Sequence, residues 1–144
     1  RRIGSFKTDG AAHIIAFTQI EDAFLWTAIV QDVNVSNLGT TATLYTLSTP
    51  SGVKTRPMSR FSSSGGAGGN ALIVTSPDET DVAPSTSQQT SPGYDAGGSS
   101  GGLPLSTRRI FTDTSSRIRA RSSATGTYFV VHTHGWVDSR GRFA

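Results

Sequence analysis

Short runs of β-branched and aromatic residues, separated by glycine, proline and serine clusters, recur along the chain and constrain its fold more than any other feature. Helical periodicity is almost absent, and the most helix-like stretch, 19–22, is too short to form more than a turn. Strands are predicted at 12–17, 24–30, 41–47, 53–61, 71–75, 108–112, 116–121 and 126–137. Without crossover helices these strands must pair antiparallel. The sequence therefore predicts an all-β fold, an antiparallel β-sandwich or jelly roll of about eight strands.

Two local patterns refine this prediction. Residues 41–61 are expected to form a hairpin around the turn cluster 48–52, and Pro57 places the second arm at a sheet edge or a bulge because proline has no amide proton to donate. In 116–121, arginine alternates with apolar residues, so the arginines should face one way and Ile118 and Ala120 the other.

The length of 144 residues suits one domain, spanning 1–144. Within it, 62–70 is glycine- and serine-rich and is predicted to be a flexible tip. Residues 76–106 hold four of the six prolines and are predicted to be an extended loop or arm. Such a loop adds little closure entropy, and we expect it to become ordered against an adjacent subunit. Because the chain starts Arg-Arg with no methionine, we also expect it to begin inside a longer product or after processing.

Composition excludes several classes of protein. With no cysteine, the chain cannot form disulfides, cysteine-based zinc sites or a cysteine nucleophile. No apolar run is long enough to span a bilayer, so membrane insertion is not expected. The sequence shows no Gly-x-Ser-x-Gly elbow, the strand-to-helix turn that carries the nucleophile of many serine hydrolases. A glycosidase would need two carboxylates held together, but the pairs at 21–22 and 78–81 fall in a turn and a loop, which do not position side chains precisely. An enzyme is therefore not predicted.

Arginine supplies eleven of the thirteen basic residues, and the net charge is +3. Segment 61–103 has no basic residue and four acidic ones, whereas 104–144 has seven arginines and two aspartates. The arginines alternate with apolar residues and do not form a basic run, so nucleic acid is not the expected partner. Arginine favours protein interfaces because its planar fork pairs with carboxylates. The candidates for subunit contacts are Arg56, Arg108, Arg109, Arg117, Arg119 and Arg121.

His132 and His134 should share one strand face, roughly 6–7 Å apart, and imidazole suits several transition metals. A third ligand could come from His13 or Asp138, or a threefold axis could gather six imidazoles, as in the His-x-His iron sites of phage tail-fibre tips that this tripeptide resembles. The alternative is a pair of histidines with local hydrogen bonds, and on that interpretation no cofactor is expected.

A sugar-binding platform could be formed by Trp26, Tyr45, Phe129 and Trp136, although aromatic side chains in strands are more often core. Trp26 lies in a continuous apolar run and is predicted to be buried. Trp136, near the chain end, is the candidate for a surface ligand contact, for example with a host-surface glycan.

Segments 24–33, 47–57 and 131–142, with the arginine-rich strand between the last two, resemble small β-sandwich virion proteins of tailed bacteriophages: head-decoration, head-fibre or tail-appendage proteins. The resemblance implies a non-catalytic structural protein, located in the virion, that forms a homo-oligomer, often a trimer, and contacts other virion proteins. Two alternatives remain open: a tail-tip module that recognises a host glycan or protein, and a carbohydrate-binding module.

Overall fold

A computed structural model describes residues 4–64, 71–85 and 110–138. These residues contain no helix, and hence none that is long and apolar enough to cross a membrane. They form seven strands. In chain order the strands are β1 (Phe17–Ile20), β2 (Ala23–Val35), β3 (Thr43–Thr46), β4 (Arg56–Ser64), β5 (Leu72–Thr75), β6 (Arg117–Ser122) and β7 (Tyr128–Val137).

The strands form two antiparallel sheets that pack as a β-sandwich, which confirms the predicted fold class. One sheet has four strands in the order β1-β2-β7-β4, and the other has three in the order β3-β6-β5. Two predicted strands differ: the first begins at Phe17, so 12–16 is not strand, and the described part of 108–112, residues 110–112, is irregular. The fold therefore shows seven strands where about eight were expected.

The predicted hairpin over 41–61 is wrong. β3 pairs with β6 in one sheet, whereas β4 pairs along its whole length with β7 in the other. The connection crosses between the sheets, and Leu47, Thr49 and Thr55 within it are buried. The prediction for Pro57 is confirmed, because β4 is an edge strand and its pairing with β7 also shifts register nearby, between Met58 and Ser59.

The core follows the strand alternation. In β6, the apolar residues Ile118 and Ala120 are fully buried while the arginines between them are half-buried, as the sequence predicts. The main core lies between the sheets and contains Val33, Leu38, Leu47, Phe61, Leu72, Val74, Ile110, Ile118, Ala120, Phe129 and Val131. A second cluster, which we call the tryptophan cluster, contains Phe24, Trp26 and Trp136, with Phe17 and Val30 packed against it.

Hydroxyl pairs occupy much of the remaining interior. Ser59 and Thr133 are 3.0 Å apart (Oγ to Oγ1), and Ser122 and Thr127 are 2.8 Å apart. Each pair satisfies both hydroxyls where water is excluded, which buried polar groups require. The 39 serines and threonines of the chain are therefore partly core residues and not only loop residues.

One of the two segments predicted as irregular begins differently from expectation. Residues 62–64 belong to β4, and Ser63 is buried, so the predicted tip over 62–70 is wrong for these three residues; 65–70 lie outside the described residues. Of the predicted loop 76–106, residues 76–85 are described and contain no strand, and Ser76 and Pro84 are buried. Residues 86–106 lie outside the described residues, so the predicted arm stays a prediction.

Candidate interaction surfaces

Three of the candidate interface arginines line one face of β6, and each binds an acceptor in the same chain. Arg117 contacts Asp113 through two guanidinium nitrogens, Nε at 2.9 Å and Nη2 at 2.8 Å from Oδ2. Arg121 Nη1 lies 2.7 Å from Asp81 Oδ2, and Arg119 Nε lies 3.7 Å from Asp81 Oδ1. Arg119 Nη2 also donates to the backbone oxygen of Glu79 at 2.6 Å. The segment 76–85 is thus held against β6 by charge-assisted contacts.

Asp113, the acceptor for Arg117, is held by several contacts just before β6. Burial would raise the pKa of its carboxyl, but the hydrogen bond from the Arg117 side chain and those from the backbone N–H groups of Arg117 and Ser115 lower it by more. The net result is a pKa below the usual range, so Asp113 is ionised at neutral pH. The Asp113 carboxylate accepts three hydrogen bonds and pairs with Arg117 Nη2, and these contacts fix the turn that begins β6.

This internal pairing changes how the arginine row can be interpreted. The side chains of Arg119 and Arg121 are only 13% and 21% exposed, and their guanidinium groups already have acceptors. Their first role is to hold the 76–85 segment, and a contact with a neighbouring subunit stays a prediction. Arg56, at the start of β4, is exposed and remains available as an interface residue. Arg108 and Arg109 lie outside the described residues.

Replacing Asp81 with asparagine is expected to destabilise the protein by about 1 kcal/mol, because one carboxylate serves two partly buried guanidinium groups. Urea unfolding followed by circular dichroism measures the change. The loss should shrink at high salt, since screening weakens the ion pairs in the parent protein.

The matched control is Asp78→Asn. Asp78 pairs with Lys54 at 2.7 Å, and both side chains are about half exposed, so this change should cost at most about 0.5 kcal/mol. Equal effects of the two substitutions would contradict the assignment of Asp81 as the main contact of the segment.

The histidine pair lies where the sequence predicts it. His132 and His134 are half-buried and alternate with buried residues on β7, so both face away from the core. Opposite His132 stand Gln31 of β2 and Arg60 of β4. No group of three His, Cys, Asp or Glu side chains that could hold a metal occurs among the described residues. Within 4–64, 71–85 and 110–138, the metal prediction therefore has two ligands from one chain.

The other residues considered as third ligands are placed elsewhere. His13 is 79% exposed and sits in the N-terminal turn, with its Nδ1 3.4 Å from Asp9 Oδ2. Asp138 is fully buried after the end of β7. Neither residue forms a group with His132 and His134 among the described residues, and the metal site stays a prediction.

The proposed ligand contact at Trp136 is also wrong, because its side chain is fully buried. Its ring stacks on Phe24 with centroids 5.0 Å apart and planes 5° apart, and it lies 4.7 Å from the Trp26 ring. The indole N–H donates to Ser5 Oγ at 3.1 Å. Trp136 is a core residue and cannot offer a ring face to a sugar. Trp26 is buried, as predicted, with 8% exposed.

A surface that the sequence did not reveal lies near the start of the chain. Nine large hydrophobic side chains are exposed among the described residues, and five of them occur between residues 6 and 29. We call these five the N-terminal apolar surface; they are Phe6, Ile14, Ile15, Ile20 and Ile29. Exposed apolar side chains concentrated in one region are typical of protein interaction sites.

Two backbone hydrogen bonds bring most of this surface together. Ile15 N–H donates to Lys7 O at 3.0 Å, and Thr27 N–H donates to Ala16 O at 3.4 Å. The first contact places the neighbourhood of Phe6 beside Ile15, and the second places Ile29 two residues from a contact with Ala16. Ile20 ends β1 on the same ribbon. The five residues therefore lie on the ribbon at the β1 edge of the four-stranded sheet.

The sequence carried a partial signal for this surface. Thr8-Asp9-Gly10 is a turn signal, and in the structure Asp9 Oδ1 accepts hydrogen bonds from the N–H groups of Ala11 and His13 at 2.8 and 2.9 Å. Together with the bridge between Thr8 and Ile14, this turn folds the segment back on itself outside the core. The apolar run 12–17, which follows this turn, was predicted as a strand. The sequence did not show whether its side chains would be buried or exposed.

No protein-family model matches the chain, and no match was found among curated proteins or among solved structures.

Proposed function

We propose that the protein is a non-catalytic structural component of a bacteriophage particle that assembles through protein–protein contacts. The observation that carries the proposal is the N-terminal apolar surface, because five large apolar side chains exposed along one edge are stabilised when another protein covers them. The rigid two-sheet sandwich supports the proposal by holding that edge in a fixed geometry. The location in a phage particle is inferred from the sequence resemblance to virion proteins.

The free energy gained by covering these side chains is large enough to stabilise a contact. A half-exposed isoleucine that becomes buried contributes about 1 kcal/mol, so several together are enough to favour association. The partners are copies of the same chain and other virion proteins. The trimer that the resemblance implies stays a prediction.

The alternative functions are less well supported, because both were expected to use Trp136 as a surface contact. A glycan-binding module, at a tail tip or elsewhere, was expected to use Trp136, and that side chain is in the core. Of the other candidate aromatics, Trp26 and Phe129 are also buried, and Tyr45 packs against the core, with its ring 5.7 Å from Phe129. The proposal of a structural role is therefore favoured over both.

The test is the mass of the protein in solution and its position on the particle. We expect an oligomer by sedimentation velocity. The double variant Ile14→Ser/Ile20→Ser should be monomeric with an unchanged unfolding free energy, because these side chains are 59% and 56% exposed. Leu44→Ser is the matched control, since Leu44 is 43% exposed on the other sheet, and it should still assemble.

Two results would overturn the proposal. One is a parent protein that is monomeric at every concentration and binds no virion protein. The other is electron microscopy of labelled phage particles in which the protein is absent from the particle.

A further inference from the structure

The strand β1 is an open edge of the four-stranded sheet, with no strand paired to its outer side among the described residues. The hydrogen bond from Thr27 N–H to Ala16 O shows that the even-numbered residues of this ribbon direct their backbone groups toward β2. Phe17 and Gln19 therefore direct their N–H and C=O groups away from the sheet. Two donors and two acceptors in a row are a template for another strand.

The opposite edge of the same sheet is protected in ways that β1 is not. β4 carries Pro57, which removes a donor, and the exposed arginines Arg56 and Arg60, which discourage pairing. β1 reads Phe-Thr-Gln-Ile, with neither a charge nor a proline, and three of its four residues are exposed. Of the two edges of the four-stranded sheet, β1 is the one suited to strand addition.

We propose that β1 pairs antiparallel with β1 of a second copy of this chain, about a twofold axis at Thr18. The two four-stranded sheets then become one continuous sheet, and the contact is isologous. This inference rests on the proposed function and names the contact by which the protein assembles with itself.

The register follows from the backbone. With Thr18 opposite Thr18, Phe17 of each copy stands opposite Gln19 of the other, and both residues have outward backbone groups, so four hydrogen bonds form. Centring on Phe17 would place Gln19 opposite Ile15, whose N–H already donates to Lys7 O. Centring on Gln19 would place Phe17 opposite Glu21, which lies in the turn before β2. Only the Thr18 register uses all four outward backbone groups of β1.

A second copy also fits this edge by its side chains. In the Thr18 register, Ile20 lies opposite Ala16 of the second copy, with Ile14 of that copy two residues further on. Ile20, which is 56% exposed, is then partly covered by the strand of the second copy. Because β1 is uncharged, the twofold axis brings no like charges together within the strand.

A single cysteine tests the register, since the chain has none of its own. Thr18 would face itself at a non-hydrogen-bonded position, where Cα atoms are about 4.5 Å apart and a disulfide can form. Thr18→Cys is therefore expected to form a disulfide dimer of twice the 15.1 kDa chain mass under mild oxidation, reversed by reductant. The matched variant Gln19→Cys, opposite Phe17, should form at least about tenfold less.

A charge exchange tests the same contact without a covalent bond. Thr18→Lys and Thr18→Glu should each weaken self-association at least about tenfold, because each places like charges on the axis. An equal mixture of the two should restore it. Thr18 is exposed, so neither change should alter the unfolding free energy by more than about 0.5 kcal/mol.

The outcomes separate this inference from the proposed function. A parent protein that self-associates while Thr18→Cys and Gln19→Cys cross-link equally would overturn the β1 contact and leave the structural role standing. Self-association unaffected by Thr18→Lys would do the same. A parent protein that does not associate with itself or with virion proteins would overturn both.

Discussion

Replacing Trp136 with alanine is expected to reduce the free energy of unfolding by about 3–5 kcal/mol. The side chain is fully buried and contacts three aromatic rings, those of Phe17, Phe24 and Trp26, so its removal leaves a large cavity and breaks a stacked pair. It also leaves Ser5 Oγ without the indole donor. Since domains of this size are stable by only about 5–15 kcal/mol, this loss is a large fraction of the total and should lower the midpoint of unfolding markedly.

Chemical unfolding monitored by circular dichroism measures this loss. Fluorescence is unsuitable, because removing one of the two tryptophans changes the signal whether or not the stability changes. Tyr128→Ala is the control on the same strand. Tyr128 is 49% exposed, so its replacement should cost less than about 1 kcal/mol. A Trp136→Ala protein that kept its stability and lost binding to a glycan would contradict the burial and restore the surface interpretation.

Trp136 also shows where prediction from sequence stops. Phe129, Val131 and Thr133 alternate inward along β7, and continued alternation would place residue 136 outward. The register against both neighbours shifts at His134, so Gly135 and Trp136 are both buried. Such a bulge reverses the sense of every later residue, and the alternation pattern carries no sign of it.

Strand identity could be predicted, but strand partners could not. The alternation in β6 and the β-branched run in β7 are local signals, and both strands are confirmed. The pairing of Pro57 with Trp136 joins residues far apart in the chain, and a turn signal at 48–52 says nothing about it. The arginine face of β6 was predicted for the same local reason. Its acceptor Asp81 was not, because that contact depends on how 76–85 folds back.

The candidate surface was the least predictable part. A run such as Ile14-Ile15 looks the same in sequence whether it is core or interface, because both environments select apolar residues. Only the fold shows that the main core is complete without these residues and that β1 is left at an edge. For this reason, composition alone does not distinguish an interaction surface from a core.

Replacing Gly135 with alanine is expected to destabilise the protein by at least about 2–3 kcal/mol, although it adds only one methyl group. Gly135 lies in the central strand β7, opposite Leu25 on one side and Met58 on the other. A Cβ atom built there would overlap the carbonyl oxygen of Phe24 and lie 3.0 Å from the Leu25 Cα. Both obstacles are backbone, so β2 and β7 would have to separate beside the tryptophan cluster.

The control is Gly10→Ala, because a Cβ at Gly10 meets nothing within 4 Å and the backbone there has no positive φ. That variant should unfold within about 0.5 kcal/mol of the parent protein. Amide hydrogen exchange locates the effect: Gly135→Ala should lose protection first where β2 pairs with β7, at Phe24, and keep more of it in β6. Uniform loss of protection across both sheets, or none, would contradict a close backbone approach as the reason for glycine at this position.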